Sequence, residues 1–185
     1  DLKLYEAMFG AALQHNKLKQ YDESIQLALK IHEAYIRLKG DKCDISGDTA
    51  LLLGDVYKEK GEYENSIKYN NYAIDIFNKY SDSRHFNVTR SQLIKGICYY
   101  KLKQYNKAID LISNNIKELK NQLKESSALY NEGLIALAGS YEEVQDLKNA
   151  LKTYELVSKN QKEKEKDGLS SSSKLITTKI KQLVS

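Results

Sequence analysis

The sequence repeats itself with a period of 42 residues. Five columns recur in phase, each holding one kind of side chain: large apolar or aromatic, small, ring-bearing, small again, and branched apolar. The members of each column, in that order, are Tyr21, Tyr63, Tyr105 and Leu147; Ala12, Gly54, Gly96 and Ala138; His15, Tyr57, Tyr99 and Tyr141; Ser24, Ser66, Ala108 and Ala150; and Ile25, Ile67, Ile109 and Leu151. A fixed period of this length predicts an array of similar units stacked on one another.

Each period contains apolar residues at helical spacing in two stretches, with a short turn between them. The chain has no proline, which favours uninterrupted helices. Gly61 is placed to end a helix in the left-handed conformation. We predict helices at 3–17 and 20–39, 48–60 and 62–80, 87–103 and 104–122, and 126–144 and 146–165, with connectors at 40–42, 81–86 and 125–126.

The predicted fold is all-α: a right-handed α-α superhelix of four helix pairs followed by a capping helix. The units span about 3–40, 45–82, 87–124 and 126–166, and the last helix spans about 173–184. That helix covers the open end of the array, as repeat proteins require. We expect residues 1–185 to form one solenoid, and the start at Asp1 suggests a fragment of a larger protein.

Composition excludes several classes of partner. The net charge is only +4, and of 29 basic residues three are arginine: Arg37, Arg84 and Arg90. Most lysines alternate with acids, which predicts solvated helix faces and no nucleic-acid contact. No apolar run is long enough to insert into a membrane. Cys43, in a connector, and Cys98, in a helix, form no Cys-x-x-Cys pair, which favours a reduced, cytoplasmic protein.

Motifs for catalysis are not found in the sequence. The three histidines, His15, His32 and His85, fall in different units without metal-ligand spacing. No glycine-rich phosphate loop, His-Glu-x-x-His or Gly-x-Ser-x-Gly segment occurs. We therefore predict no enzymatic activity, no cofactor and no metal.

The columns resemble the tetratricopeptide repeat (TPR). Its pattern has a small residue at position 8, tyrosine at 11 and 17, glycine at 15, alanine at 20 and a branched residue at 21. The second unit matches best, with Gly54, Tyr57, Gly61, Tyr63, Ser66, Ile67 and Ala73. The period is longer than the usual 34, similar to kinesin light chains, spindle-orientation adaptors and Rap-type peptide receptors. The resemblance implies close helix approach at the small columns and tyrosines of the ring column in the core.

The resemblance also implies a concave groove lined by the first helix of each unit, which binds a peptide or helix of a protein partner. A co-chaperone carboxylate clamp is disfavoured, because position 9 holds no asparagine. We expect Arg90, Tyr100, Lys101 and Lys58 to be exposed contact residues. The full set of predicted groove residues is Phe9, Leu13, Asn16, Lys17, Asp55, Lys58, Arg90, Ile97, Tyr100, Lys101 and Glu142.

Three functions remain open from the sequence. The first is a protein-interaction module that acts as an adaptor or scaffold. The second is a bacterial sensor domain that binds a short signalling peptide. The third is a structural spacer whose surface binds nothing.

Overall fold

A computed structural model describes residues 2–39, 44–80, 85–122, 128–165 and 173–184. These residues form helices and the short turns within hairpins, and no strand occurs among them. The helices are α1 (Leu2–Lys17), α2 (Tyr21–Lys39), α3 (Asp44–Lys60), α4 (Tyr63–Tyr80), α5 (His85–Lys101), α6 (Tyr105–Gln122), α7 (Ala128–Glu143), α8 (Leu147–Glu165) and α9 (Ser173–Val184).

Most predicted helix boundaries agree with these to within two residues. The exception is α3, which begins at Asp44 instead of residue 48. Its first turn is held by packing that local sequence does not reveal: Ser46 is completely buried, and a Cβ on Gly47 would lie 2.8 Å from the ring of Phe77. The connectors predicted at 40–42 and 125–126 lie outside the described residues, as does Cys43, and residues 85 and 86 belong to α5.

The chain divides into two units, 1–98 and 99–185, with the boundary inside α5. In the first unit α1 packs on α2, α2 on α3 and α3 on α4. In the second unit α6 packs on α7, α7 on α8 and α8 on α9. Ile176 of α9 is 3% exposed, so the last helix buries an apolar side chain as the sequence predicted.

The turn inside each helix pair has the same backbone geometry. Lys19, Gly61, Lys103 and Gln145, each 42 residues from the next, all have φ between 59° and 89°. In each turn the N–H of the following residue bonds to the carbonyl five residues earlier, as in Glu62 to Tyr57 at 2.9 Å. The N–H of the left-handed residue itself bonds to the carbonyl three residues earlier, as in Gly61 to Lys58 at 3.0 Å. The two bonds together form the Schellman motif, which ends a helix in a left-handed residue. The prediction for Gly61 is confirmed, and three non-glycine residues adopt the same conformation.

The two small columns meet across each hairpin of the first unit. The Ser24 hydroxyl donates to the Ala12 carbonyl at 2.7 Å, and the Ser66 hydroxyl donates to the Gly54 carbonyl at 2.7 Å. All four residues lie in helices whose backbones approach closely enough for a side-chain hydroxyl to span the gap. Ala108 and Ala150 hold the corresponding positions in the second unit and are completely buried. The ring column is half-buried, less enclosed than predicted: the Tyr57 ring stacks on Tyr69 with centroids 5.5 Å apart.

Gly54 lies against Asn70 with no room for a side chain between them. A Cβ on Gly54 would lie 2.2 Å from Asn70 Nδ2, and Asn70 is completely buried. The same positions of the first hairpin hold Ala12 and Ala28, both without exposed surface and in one apolar cluster. At these positions the first two helix pairs thus use different combinations, alanine with alanine in the first and glycine with asparagine in the second.

Substituting Gly54→Ala should lower the free energy of unfolding by about 1–3 kcal/mol, because the added methyl overpacks the contact with Asn70. In an Asn70→Ala background, which reproduces the alanine pair of the first hairpin, most of that loss should vanish. A double-mutant cycle measured by urea unfolding tests this, with an expected coupling of at least about 1 kcal/mol. Additive effects of the two substitutions would contradict the proposed contact.

His32 of α2 is a buried titratable group of the first unit, 8% exposed. Its ring packs edge-on against Tyr72 and Tyr69, with centroids 5.0 Å and 6.1 Å away. Burial lowers the pKa of His32, and a hydrogen bond to the Ser46 backbone and the charge of Glu33 only partly oppose this. Burial therefore favours the neutral form of the imidazole in the folded state.

Because the pKa of His32 is lower when folded than when unfolded, the unfolded chain binds the extra proton first as pH falls. The stabilising effect of burying neutral His32 is complete at pH values above the pKa that His32 has in the unfolded chain, and it is lost as the pH falls below that pKa. We expect the free energy of unfolding to fall between about pH 7.5 and about pH 5.5, a range where histidine titrates and most carboxyls do not. His32→Gln should flatten this slope in urea melts; a slope equal to that of the unsubstituted protein would contradict the assignment.

Candidate functional site

A cleft of about 280 Å³ opens in the first unit between α1, α3 and α5. The residues that line it recur at helical spacing along one face of each of these helices, which is why three separate segments contribute to one surface. The lining consists of Phe9, Leu13, Asp48, Leu51, Leu52, Asp55, Asn87 and Arg90.

Two polar links cross the cleft from α3 to α5. Arg90 Nη2 forms an ion pair with Asp55 Oδ2, and the two side chains are 34% and 17% exposed. One helical turn earlier, Asn87 Nδ2 donates to Asp48 Oδ1 at 3.4 Å. A carboxylate can accept several hydrogen bonds through its two oxygens. The polar side of the cleft can therefore receive N–H groups.

The apolar side of the cleft comes from α1 and the floor from α3. Leu13 is 39% exposed and Phe9 is half-buried, while Leu51 and Leu52 are 5% and 4% exposed. Leu13 is thus an apolar side chain presented to solvent beside a row of polar groups. An amphipathic partner segment can cover such a surface on both sides.

Four predicted groove residues come together in this cleft: Phe9, Leu13, Asp55 and Arg90. Asn16 is half-buried and Lys17 exposed on the last turn of α1, and neither lines the cleft. The prediction that Lys58 is exposed is wrong, because its side chain is 5% exposed and its Nζ lies 2.7 Å from Glu59 Oε1.

Ile97 also departs from the predicted groove set. Its side chain is 1% exposed and therefore belongs to the core. Repeat position alone predicted that Ile97 lies on the concave surface, but the surrounding side chains enclose it in the structure.

The remaining predicted residues lie in the second unit. Tyr100 is half-buried, and a Cβ on Gly139 would lie 2.7 Å from its hydroxyl. Burial, followed by the charges of Glu143 and Glu142, raises the pKa of Tyr100. Lys101 is exposed, and its Nζ lies 5.8 Å from the centre of the Tyr100 ring. Tyr100 is thus largely a packing residue, whereas Lys101 faces solvent.

Glu142 is held by two side chains of its own unit. It accepts a hydrogen bond from the Tyr154 hydroxyl at 3.0 Å and pairs with Lys179 Nζ at 2.6 Å. Burial, reinforced by this hydrogen bond to Glu142, raises the pKa of Tyr154. The carboxylate links α7 to α8 and to α9, so its observed contacts are structural.

The pair between Lys179 and Glu142 should hold α9 in place. Because both side chains are partly exposed, at 36% and 27%, we expect a small contribution. Lys179→Ala should speed amide hydrogen exchange in residues 173–184 by about twofold to fivefold, the effect of losing up to about 1 kcal/mol.

Lys181→Ala is the matched control, since Lys181 is exposed on the same helix. It should leave the exchange rates unchanged. Equal acceleration by both substitutions would show that the pair does not secure α9.

Four residues that line the cleft are absent from the predicted set: Asp48, Leu51, Leu52 and Asn87. Asn87 lies three residues before Arg90 on the same helix, so the spacing could have indicated it. A larger cleft, about 640 Å³, runs along α4 beside His32 and contains none of the predicted residues. Within the described ranges, no group of three His, Cys, Asp or Glu side chains could hold a metal ion, and no helix is long and apolar enough to cross a bilayer.

The repeat pattern of this chain matches that of a known protein family. The sequence profile of the tetratricopeptide repeat matches residues 4–79 and 46–113, which together cover more than half of the protein. The chain belongs to the tetratricopeptide repeat family. No protein of curated function matches it in sequence. The predicted resemblance is thereby confirmed.

Solved structures of TPR-like proteins share its fold. A kinesin-light-chain-type protein from Podospora anserina, with nearly identical TPR-like repeats, is 15% identical, with 96% of this chain and 84% of that one covered and a TM-score of 0.70. BtubC (BKLC) from P. vanneervenii is 13% identical over 98% and 72% of the two chains, with a TM-score of 0.73. The apo form of RapI is 16% identical over 97% and 62%, with a TM-score of 0.75.

At these identities the likeness shows the fold. The prediction of an all-α solenoid of the tetratricopeptide type is confirmed. Family and fold together support a protein-interaction scaffold for this TPR protein.

Proposed function

We propose that this protein is an adaptor or scaffold module that binds a peptide or helical segment of a partner protein in the cleft between α1, α3 and α5. The observation that carries the proposal is the pairing of exposed Leu13 with the polar row of Asp55 and Arg90 across one cleft. One face offers apolar contact and the other offers charged hydrogen-bonding groups. An amphipathic segment satisfies both.

The charged row also supports specificity. Arginine is favoured at binding hot spots, and Arg90 remains 34% exposed while paired with Asp55. A partner carboxylate can share the guanidinium, and a partner N–H can bond to Asp55. Charged groups arranged in this way select partners by sign more than they add affinity.

Several further statements belong to the proposal. Residues 1–185 form one array that acts in a reduced, cytoplasmic setting, which accords with Cys98 being a buried thiol that is not part of a disulfide. The protein has no catalytic activity of its own. The alternative ligand is a short, free signalling peptide, which would use the same cleft.

A displayed library of random peptides, selected against the whole chain, supplies a binding segment for measurement by fluorescence anisotropy. Leu13→Asp and Arg90→Glu should each weaken binding by about tenfold or more, as expected for residues at the centre of an interface. Leu38→Asp is the matched control, because Leu38 is 66% exposed on α2 away from the cleft. It should leave the affinity unchanged.

If all three variants bind equally well, the cleft is not the site.

Forms of the selected peptide with blocked and with free termini distinguish a segment of a partner protein from a free signalling peptide. Binding that survives capping of both ends supports an internal segment of a partner protein. Binding that requires a free terminus supports the signalling-peptide alternative.

A further inference from the structure

A second recess of the first unit opens beside the proposed binding cleft and shares Phe9 and Asp48 with it. Its volume is about 300 Å³. It lies over the first half of α1, the last turns of α2 and the start of α3. The lining residues are Tyr5, Glu6, Phe9, Gly10, Ile31, Tyr35, Ile45 and Asp48.

Three aromatic rings form the walls of this recess. The rings of Tyr5 and Tyr35 have centroids 4.8 Å apart and are tilted by 59° to each other. Phe9 is half-buried, and Tyr35 is 5% exposed and so held rigidly. Ring faces attract a cation through their quadrupoles.

Two carboxylates complete the lining, Glu6 on α1 and Asp48 on α3, and none of the lining residues is basic. The recess is therefore negative within a chain whose net charge is +4. Glu6 is exposed, and Asp48 also accepts a hydrogen bond from Asn87. Ile31 and Ile45 provide an apolar surface for the methylene stem that precedes a terminal charge on a long side chain.

We infer that this recess binds one basic side chain, arginine or lysine, of the segment held in the neighbouring cleft. This inference rests on the proposed function, because the basic side chain belongs to the segment that binds in the cleft. It adds that this segment must contain an arginine or a lysine. Aromatic walls with carboxylates at the same recess suit a guanidinium or ammonium group, whereas an apolar side chain could donate no hydrogen bond to either carboxylate. Gly10 keeps one side open, since a Cβ there would meet no atom within 4 Å.

The test is an NMR titration of the whole chain with N-acetylarginine amide, which needs no partner protein. The amide signal of Gly10 and the ring signals of Tyr5 and Tyr35 should shift and saturate. N-acetylcitrulline amide, neutral and nearly the same shape, should bind about tenfold more weakly, because it lacks the charge that strengthens hydrogen bonds to carboxylates.

Substitutions of the two carboxylates test whether the arginine compound binds in the recess. Glu6→Gln and Asp48→Asn should each weaken arginine amide binding while leaving the fold intact, since both changes are nearly isosteric. Glu155→Gln, at an exposed position of the second unit, makes the same charge change as a control and should have no effect.

Equal binding of the citrulline compound, or no saturating shift at Gly10 up to the solubility limit, would overturn the inference. Neither result bears on the cleft itself, which the Leu13 and Arg90 variants test separately. Conversely, if those variants fail to weaken peptide binding while the arginine titration saturates, the recess stands as a cation site and the proposed cleft does not.

Discussion

The close approach of two helix backbones at a column of small residues is the contact on which the rest of the first unit depends. Ser24 and Ser66 can reach the carbonyls of Ala12 and Gly54 only because no large side chain separates the helices. That approach leaves almost no free volume at Gly54. A hairpin built in this way presents a defined face to its neighbour, and repeated faces of this kind place α1 and α3 side by side along the cleft.

The helices could be predicted from the sequence because the turns that end them and the small residues that pack them recur with the same period of 42 residues. The left-handed residues recur at Lys19, Gly61, Lys103 and Gln145, although only one of them is glycine, so the turn is set by the two helices that it joins. The start of α3 was predicted too late because its first turn is held by packing around Gly47 that the local sequence does not show. In the fold, the missing side chain is what lets the Phe77 ring approach.

The candidate site was less predictable, for a related reason. Repeat position tells which face of a helix a residue occupies, but not how far the next helix covers that face. Ile97 is enclosed, Lys58 is buried beside Glu59, and Glu142 is engaged by Tyr154 and Lys179. Leu13 of α1 stays exposed and can contact a partner. The aromatic recess is formed by residues of α1, α2 and α3, and no single sequence motif contains them all.

The central claim is that one hairpin geometry recurs every 42 residues, and the backbone angle at the turns tests it most directly. Three-bond HN–Hα couplings, combined with chemical shifts, report φ for Lys19, Lys103 and Gln145 in solution. The account predicts positive φ near 60° at all three positions, as in the structure. A helical, negative φ at any of them would show that the turns are not equivalent and would contradict the repeat.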